Sequence, residues 1–406
     1  MSNTPQRVTI ITETFSPEVN GVANTLGHWV NGLLERHIDV QIIRPQQHAD
    51  DINNRQNGLS TCTLPGLPIP GYAGLKFGLP WQKRIRHALA EFQPDVLYVA
   101  TEGPLGFAGV RAAKQLQVPV ISGFHTNFHQ YFGHYHLAWL SGTVYRYLRY
   151  FHNRTRQTLV PTAQQQTQLR EQGFANVDVL ARGVDANLFD PQKRNDTVRR
   201  QWGVKRDDCV LLYVGRIAAE KNLDLVLRCY QKLKPNHPHV KLVLVGDGPA
   251  LASIQREHPE VICTGTQRGK ALAQHYASGD VFLFPSKTDT FGNVVTEAMA
   301  SGLAIVSFDA AAAHEHLQHQ HSGMLAPLGD DASYCQHVRQ LANNQKLRQQ
   351  LAHNARRHAE QLSWGNIVDQ FVSHLAQATI EGTQHGQHKN STTNRMAIQQ
   401  SGSLGS

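Results

Sequence analysis

Residues 281–309, VFLFPSKTDTFGNVVTEAMASGLAIVSFD, constrain the fold more than any other stretch of this chain. They read as an apolar strand, a polar turn, a helix ending in small residues, and a second apolar strand. Short buried strands alternating with helices imply a parallel sheet covered on both faces. The same pattern fills the first half. Apolar runs at 8–12, 40–44, 96–100, 118–123 and 158–161 are separated by helical stretches such as 23–36 and 105–117. Around 181–200 the pattern loosens into polar and charged residues, then restarts with VLLYVG, VKLVLVG, VICTG, VFLFPS and AIVSFD. The expectation is an α/β chain of two Rossmann-like halves. At 406 residues it is long for one core, which also favours two domains. The boundaries expected are a first domain over 1–185, a linker over 186–200 and a second domain over 201–362. Residues 384–406 are polar and rich in Ser, Gln and Asn, a composition that cannot repay the entropy of ordering, so a disordered tail is expected there.

Several function classes are disfavoured at once. No run of eighteen apolar residues exists to span a bilayer, and MSNTPQ leads straight into the strand-like RVTIIT without a signal-peptide core. The five cysteines are scattered and odd in number, and are read as reduced thiols of a cytosolic protein. Neither GxGxxG after the first strand nor GxxxxGK[ST] occurs, which weighs against a dinucleotide dehydrogenase and a P-loop NTPase. The net charge of +8 favours anionic partners. A nucleic-acid binder would be one such reading, but no recognised motif supports it, and no nucleic acid is expected as partner.

The residues that carry chemistry gather at strand ends. Arg216 lies just past a strand and Lys221 at the start of the next helix, so both should project at the carboxyl edge of the second sheet. Fixed cations there would stabilise the charge that a diphosphate gains as it departs. The helix in 281–309 is expected to open just after Asp289, with Glu297 two turns further in and on roughly the same side. A helix N-terminus after a strand favours anions. Glu297 is set among Val294, Val295, Ala298 and Met299, where an acid needs a partner such as a ribose diol; Asp289 has N-capping as its rival role. In the first half, Asn20 and Gly21 form a turn between the first strand and a helix, and glycine permits close approach to a ligand. His125 directly follows a strand. The surrounding histidines match no zinc spacing, so no metal is expected. The histidines of 314–321 are read as a solvated loop. Residues 143–156, TVYRYLRYFHNRTR, interleave aromatics with Arg146, Arg149, Arg154 and Arg156, as a helix on an anionic membrane surface would.

Taken in order, FSPEVNGVANT, GFHTNFH, ARGVDANLFDP, YVGRIAAEKN, LVLVGDGP, HYASGDVFLFPS and TDTFGNVVTEAMASG resemble a GT-B glycosyltransferase of retaining family 4. The likeness is greatest to the branch holding sulfoquinovosyldiacylglycerol synthases and GDP-mannose-dependent α-mannosyltransferases, and it covers about residues 7 to 380. It implies two Rossmann-like domains facing across a cleft, acceptor domain first and nucleotide-sugar domain second, with a helix over 363–383 crossing back. It implies retention of configuration, no metal and no cofactor beyond the donor. By the family pattern Arg216 and Lys221 bind the diphosphate, Glu297 the ribose, Gly21 backs the phosphates and His125 lies near the sugar. Asn20, Gly215, Phe291, Gly292, Asn293 and Val294 complete the donor set. Asp289 stands where the family places a glutamate, shorter by one bond of about 1.5 Å. The function expected is hexose transfer from a UDP- or GDP-linked sugar to a lipid hydroxyl, diacylglycerol among the candidates, by a cytoplasmic enzyme or one peripheral on the inner face of the cell membrane. A GDP-mannose-dependent α-mannosyltransferase, or another transferase acting on a saccharide acceptor, is the alternative, and a nucleotide-sugar-binding protein with an eroded active site is the non-enzymatic one.

Overall fold

Val, Ile and Leu dominate the strand runs because each strand is covered on both faces and must be apolar throughout. The computed structural model describes residues 4–16, 18, 21–47, 54–68, 76–124, 141–287 and 292–380. The chain divides into two units, one of Met1–Ala181 with the stretch from Ile367 onward, the other Arg182–Asn366. The expected tail over 384–406 lies outside the described residues.

In the first unit, strands β1 (Arg7–Ile11), β2 (Asp39–Pro45), β3 (Asn54–Gln56), β4 (Leu59–Leu64), β7 (Val96–Val99), β8 (Val120–Gly123), β9 (Gln157–Val160) and β10 (Val177–Val179) form one sheet. Its order is β10-β9-β8-β7-β1-β2-β4-β3, and a separate antiparallel pair joins β5 (Gly66–Pro68) to β6 (Lys76–Gly78). Neighbours are parallel except β3 on β4. Sequence periodicity passes over β4 because LSTCTL is only half-buried and mixes polar with apolar residues. Helix Gly21–Glu35 buries Leu26, Trp29, Val30 and Leu33. The helix over 364–380 completes this core: Phe371 stacks on Trp29 at 4.3 Å and meets Tyr98 edge-on at 5.1 Å. Val368 packs over Gly32, where a Cβ would approach within 2.6 Å, and Asp369 pairs with Arg36 at 2.7 Å.

In the second unit, β11 (Cys209–Val214), β12 (Val240–Val245), β13 (Ile262–Cys263), β14 (Val281–Phe284), β15 (Ala304–Phe308) and β16 (Met324–Ala326) form an all-parallel sheet ordered β13-β12-β11-β14-β15-β16. Helices cover both faces, with Leu225, Tyr230 and Tyr334 buried on one side and Val295, Met299 and Ala355 on the other. The 186–200 segment falls inside this unit. It carries a 3-10 turn, Pro191–Lys193, and the start of helix Asp196–Gln201, and Arg356 donates to the carbonyls of Ala186 (3.1 Å) and Phe189 (2.7 Å).

Two expectations need correction here. Cys229 and Cys335 are not reduced thiols but form a disulfide, tying helix Leu223–Leu233 to helix Asp331–Asn343 across 106 residues; Cys62, Cys209 and Cys263 remain free. Scattered spacing carries no signal for a bond set by the packing of two distant helices. The 314–321 histidines are a solvated loop only in part: His319 and His321 are exposed around a turn, and His314 is exposed on a helix. His314 and His316 lie on helix Ala311–His316, and His316 is pushed down to about 4 by burial and then by neighbouring His358. His319 Nδ1 accepts from the Leu325 amide at 3.0 Å.

Candidate active site

The second sheet has a switch point. From β11 the strand order runs one way through β12 and β13, and from β14 the other way through β15 and β16. The connections leaving β11 and β14 therefore diverge at the carboxyl edge, which is where open α/β sheets bind ligands.

On the β11 side, the Gly215 amide donates to Val245 O (3.0 Å) and the Ile217 amide to Asp247 O (2.9 Å), locking the GRIA turn against the GDGP turn. Only glycine fits at 246: its φ is 143°, and a Cβ would lie 1.9 Å from Gly215 O. Arg216 carries its guanidinium in solvent, 3.2 Å from Glu220 Oε1, with the side chains 65% and 48% exposed. Such a pair holds weakly and leaves the arginine available to a stronger anion. Its backbone carbonyl accepts from the Tyr213 hydroxyl at 2.9 Å. Lys221 closes a 3-10 turn, Ala219–Lys221, ahead of helix Leu223–Leu233 and not within that helix's first turn. Between them Asn222 takes a left-handed conformation, and its Nδ2 donates to Pro285 O at 3.1 Å. That bond joins the two sides of the switch point.

On the β14 side, the helix opens at Asn293 and not just after Asp289, running Asn293–Ala300. Gly292 at its N-cap is left-handed and has no side chain to cap with, and a Cβ there would lie 2.6 Å from Ala312 Cβ. The helical periodicity expected to link Asp289 to Glu297 therefore starts only at Asn293, and Asp289 itself lies outside the described residues. Val294 is half-buried, and Asn293 O accepts from Thr296 Oγ1 at 2.9 Å. Glu297 Oε2 accepts from the buried Tyr276 hydroxyl at 2.9 Å, its one hydrogen-bond partner among the described residues. Burial outweighs that bond and pushes the carboxyl up to about 7. Tyr276, which the sequence reading did not single out, lies on helix Gly269–Ser278.

Thus Gly215, Arg216, Lys221, Gly292, Asn293, Val294 and Glu297 gather along one sheet edge. Asn20, His125, Asp289 and Phe291 lie outside the described residues. Gly21 opens helix Gly21–Glu35 in the first unit, where its carbonyl accepts from Thr25 Oγ1 at 2.8 Å.

The first sheet switches direction between β1 and β7, and an acid follows each strand. Neither was singled out from sequence, although an acid two or three residues past a strand is a readable signal. Glu13 accepts from the Gly78 amide, sits where a Cβ on Gly103 would come within 2.6 Å of its Oε1, and is pushed up to about 7 by burial. Glu102 Oε1 lies 3.3 Å from His152 Nε2, and His152 Nδ1 lies 2.8 Å from Ser122 Oγ. A Ser-His-Glu line of this kind resembles a hydrolytic triad, but Ser122 and His152 are wholly buried and no substrate reaches them. Among the described residues no group of three or more His, Cys, Asp or Glu is placed to hold a metal ion, and no helix is long and apolar enough to cross a membrane.

Comparison with known proteins defines the class. Residues 19–188 match the family described as Glycosyltransferase Family 4, and residues 194–358 that described as Glycosyl transferases group 1. The chain is 32% identical over 370 residues to a GDP-mannose-dependent alpha-mannosyltransferase of Mycobacterium tuberculosis, covering 91% of this chain and 96% of that one. It is 29% identical over 371 residues to the sulfoquinovosyl transferase SQD2 of Arabidopsis thaliana, covering 89% and 71%. In fold it is similar to a sucrose-phosphate synthase from Thermosynechococcus elongatus, with TM-score 0.74, 18% identity and 92% and 98% of the two chains aligned. The chain belongs to glycosyltransferase family 4, with the α/β fold of GT-B enzymes.

Proposed function

We propose that this glycosyltransferase moves a hexose from a UDP- or GDP-linked sugar to a hydroxyl of a lipid acceptor such as diacylglycerol, retaining the anomeric configuration and using no metal ion. One observation carries the donor half of this reading: the carboxyl-edge switch point that gathers Arg216, Lys221, the uncapped Asn293–Ala300 helix and Glu297. As the bond between sugar and diphosphate breaks, negative charge grows on the leaving oxygen. Arg216, Lys221 and the free amides of the helix stabilise it without reorganising. Glu297 holds the ribose through the oxygen that Tyr276 does not use. The family pattern assigns Asp289 and His125 to the sugar and Asn20 and Gly21 to the phosphates. The departing phosphate oxygen takes the acceptor's proton as the hydroxyl attacks from the same face, so positioning supplies much of the acceleration.

A lipid acceptor is supported by the exposed apolar and aromatic residues of the first unit, Leu67, Trp81, Tyr147 and Tyr150, which suit an enzyme peripheral to a membrane. The identity to the mycobacterial enzyme favours GDP-mannose as the donor, and a saccharide acceptor is the second reading for the other substrate. A non-catalytic, sugar-binding reading rests on Asp289 in place of glutamate; creation of activity by Asp289→Glu in an inactive protein would support it.

The test begins with thermal shifts by UDP- and GDP-sugars, since a donor bound only by the native state raises its midpoint. Transfer to diacylglycerol and to soluble saccharides follows. Replacing Arg216 and Lys221 together by alanine is expected to lower transfer by at least about 10²-fold. Donor hydrolysis and transfer that both survive in that variant would overturn the reading.

A further inference from the structure

Cations in this protein are commonly matched by acids: Arg36 with Asp369, Arg44 with Glu18, Arg199 with Asp280, Arg228 with Asp331, Arg356 with Asp190. The concavity between helices Pro104–Gln115 and Ser141–His152 departs from that habit. It encloses about 670 Å³ and is lined by Phe107, Arg111, Lys114, Gln115, Tyr150 and Arg154. Three cations converge on it, and neither helix contains an acid. Arg111 and Lys114 stand three residues apart on one helical face, both exposed, and among the described residues neither has an ion-pair partner. The floor is aromatic. Phe107 and Tyr150 stack at 6.3 Å, and the Arg154 guanidinium lies 3.4 Å from the Tyr150 ring centre while donating to Tyr150 O at 3.3 Å.

Attraction of cations to helix C-termini accounts for Lys114, which lies in a last turn. It does not account for a hollow lined by three like charges from two segments. Such charges repel, and that cost is relieved when an anion enters. A hollow of this volume falls within the range of small-ligand sites, about 300–1,000 Å³. One arginine satisfies a carboxylate, whereas two guanidinium forks and an ammonium match the several oxygens and the negative charge of a phosphate group, monoester or diester. We propose that this concavity is a binding site for a phosphate-bearing anion, the group shared by soluble phosphates and anionic phospholipid headgroups. The site is separate from the donor site and does not rest on the donor reading; only its lipid source deepens the membrane reading.

Three full-length proteins test it: the wild type, R111E/K114E, and a control with two exposed cations of the second unit reversed, K232E/R339E. Inorganic phosphate and glycerol 3-phosphate are titrated by calorimetry. Sedimentation is measured with vesicles of phosphatidylcholine, with or without phosphatidylglycerol. The wild type and the control are expected to bind, and R111E/K114E to lose at least about tenfold in affinity. Binding of the soluble phosphates assigns the site to free phosphate, and binding confined to phosphatidylglycerol vesicles assigns it to a headgroup. No binding by the wild type, or equal weakening in both double variants, overturns the proposal. Thermal shifts by UDP- and GDP-sugars, expected to be equal in all three proteins, keep failure here distinct from failure of the donor site.

Discussion

Glu297 shows how one residue can be half-legible. An acid in an apolar helix announces that something must meet it, but the tyrosine that does so comes from another helix, 21 residues earlier, and no local pattern points there. Its protonation carries a testable consequence. The carboxyl titrates near 4.5 when unfolded and at about 7 when folded, so the folded state holds its proton longer. Stability from this group is full below about pH 4.5 and is lost as pH rises through about 7. Glu297→Gln, which keeps an acceptor for Tyr276, is expected to remove that slope, worth at most about 3 kcal/mol, in urea unfolding at pH 4.5 and 7.5. Donor affinity should move the other way, because an ionised carboxylate accepts ribose hydroxyls more strongly. Calorimetry across the same range should show nucleotide binding tightening with pH in the wild type and flat in the glutamine variant.

At the scale of elements, apolar runs told most of the story and chain turns told the rest poorly. Strands such as Cys209–Val214 and Val281–Phe284 are buried along their whole length and so stand out as continuous runs. The start of the 293 helix was misplaced because a left-handed glycine, and not the nearby aspartate, sets it. The carboxyl-edge position of Arg216 was readable from strand order alone, whereas the Asn222 bridge needed three dimensions. That bridge yields a sharp comparison. Asn222→Ala loses the bond to Pro285 O and strains a residue at φ 56°; a cost of about 1–3 kcal/mol is expected. Asn222→Gly relieves the strain but not the lost bond, so it should fall between alanine and wild type in denaturant midpoint. Equal midpoints for the two variants would show that the backbone conformation contributes nothing.

For the whole molecule, the two-unit division was visible in the restart of strand–helix alternation near residue 209, but the 186–200 segment gave no sign that it belongs to the second unit's packing. The disulfide was invisible for the same reason of distance. Replacing Cys229 and Cys335 by serine removes a crosslink spanning 106 residues and should destabilise the second unit by about 2–5 kcal/mol, read as a lowered unfolding midpoint that reductant no longer shifts. The seating of Phe371 against Trp29 and Tyr98 bears on biosynthesis. The core around Trp29 and Tyr98 cannot close until Phe371, far downstream, has been made. Residues 182–366 intervene, and at roughly 5–20 residues per second their translation occupies on the order of 10–40 s. Throughout that delay an indole and a phenol stand uncovered, an opening for holdase chaperones or proteases that a contiguous domain would never present.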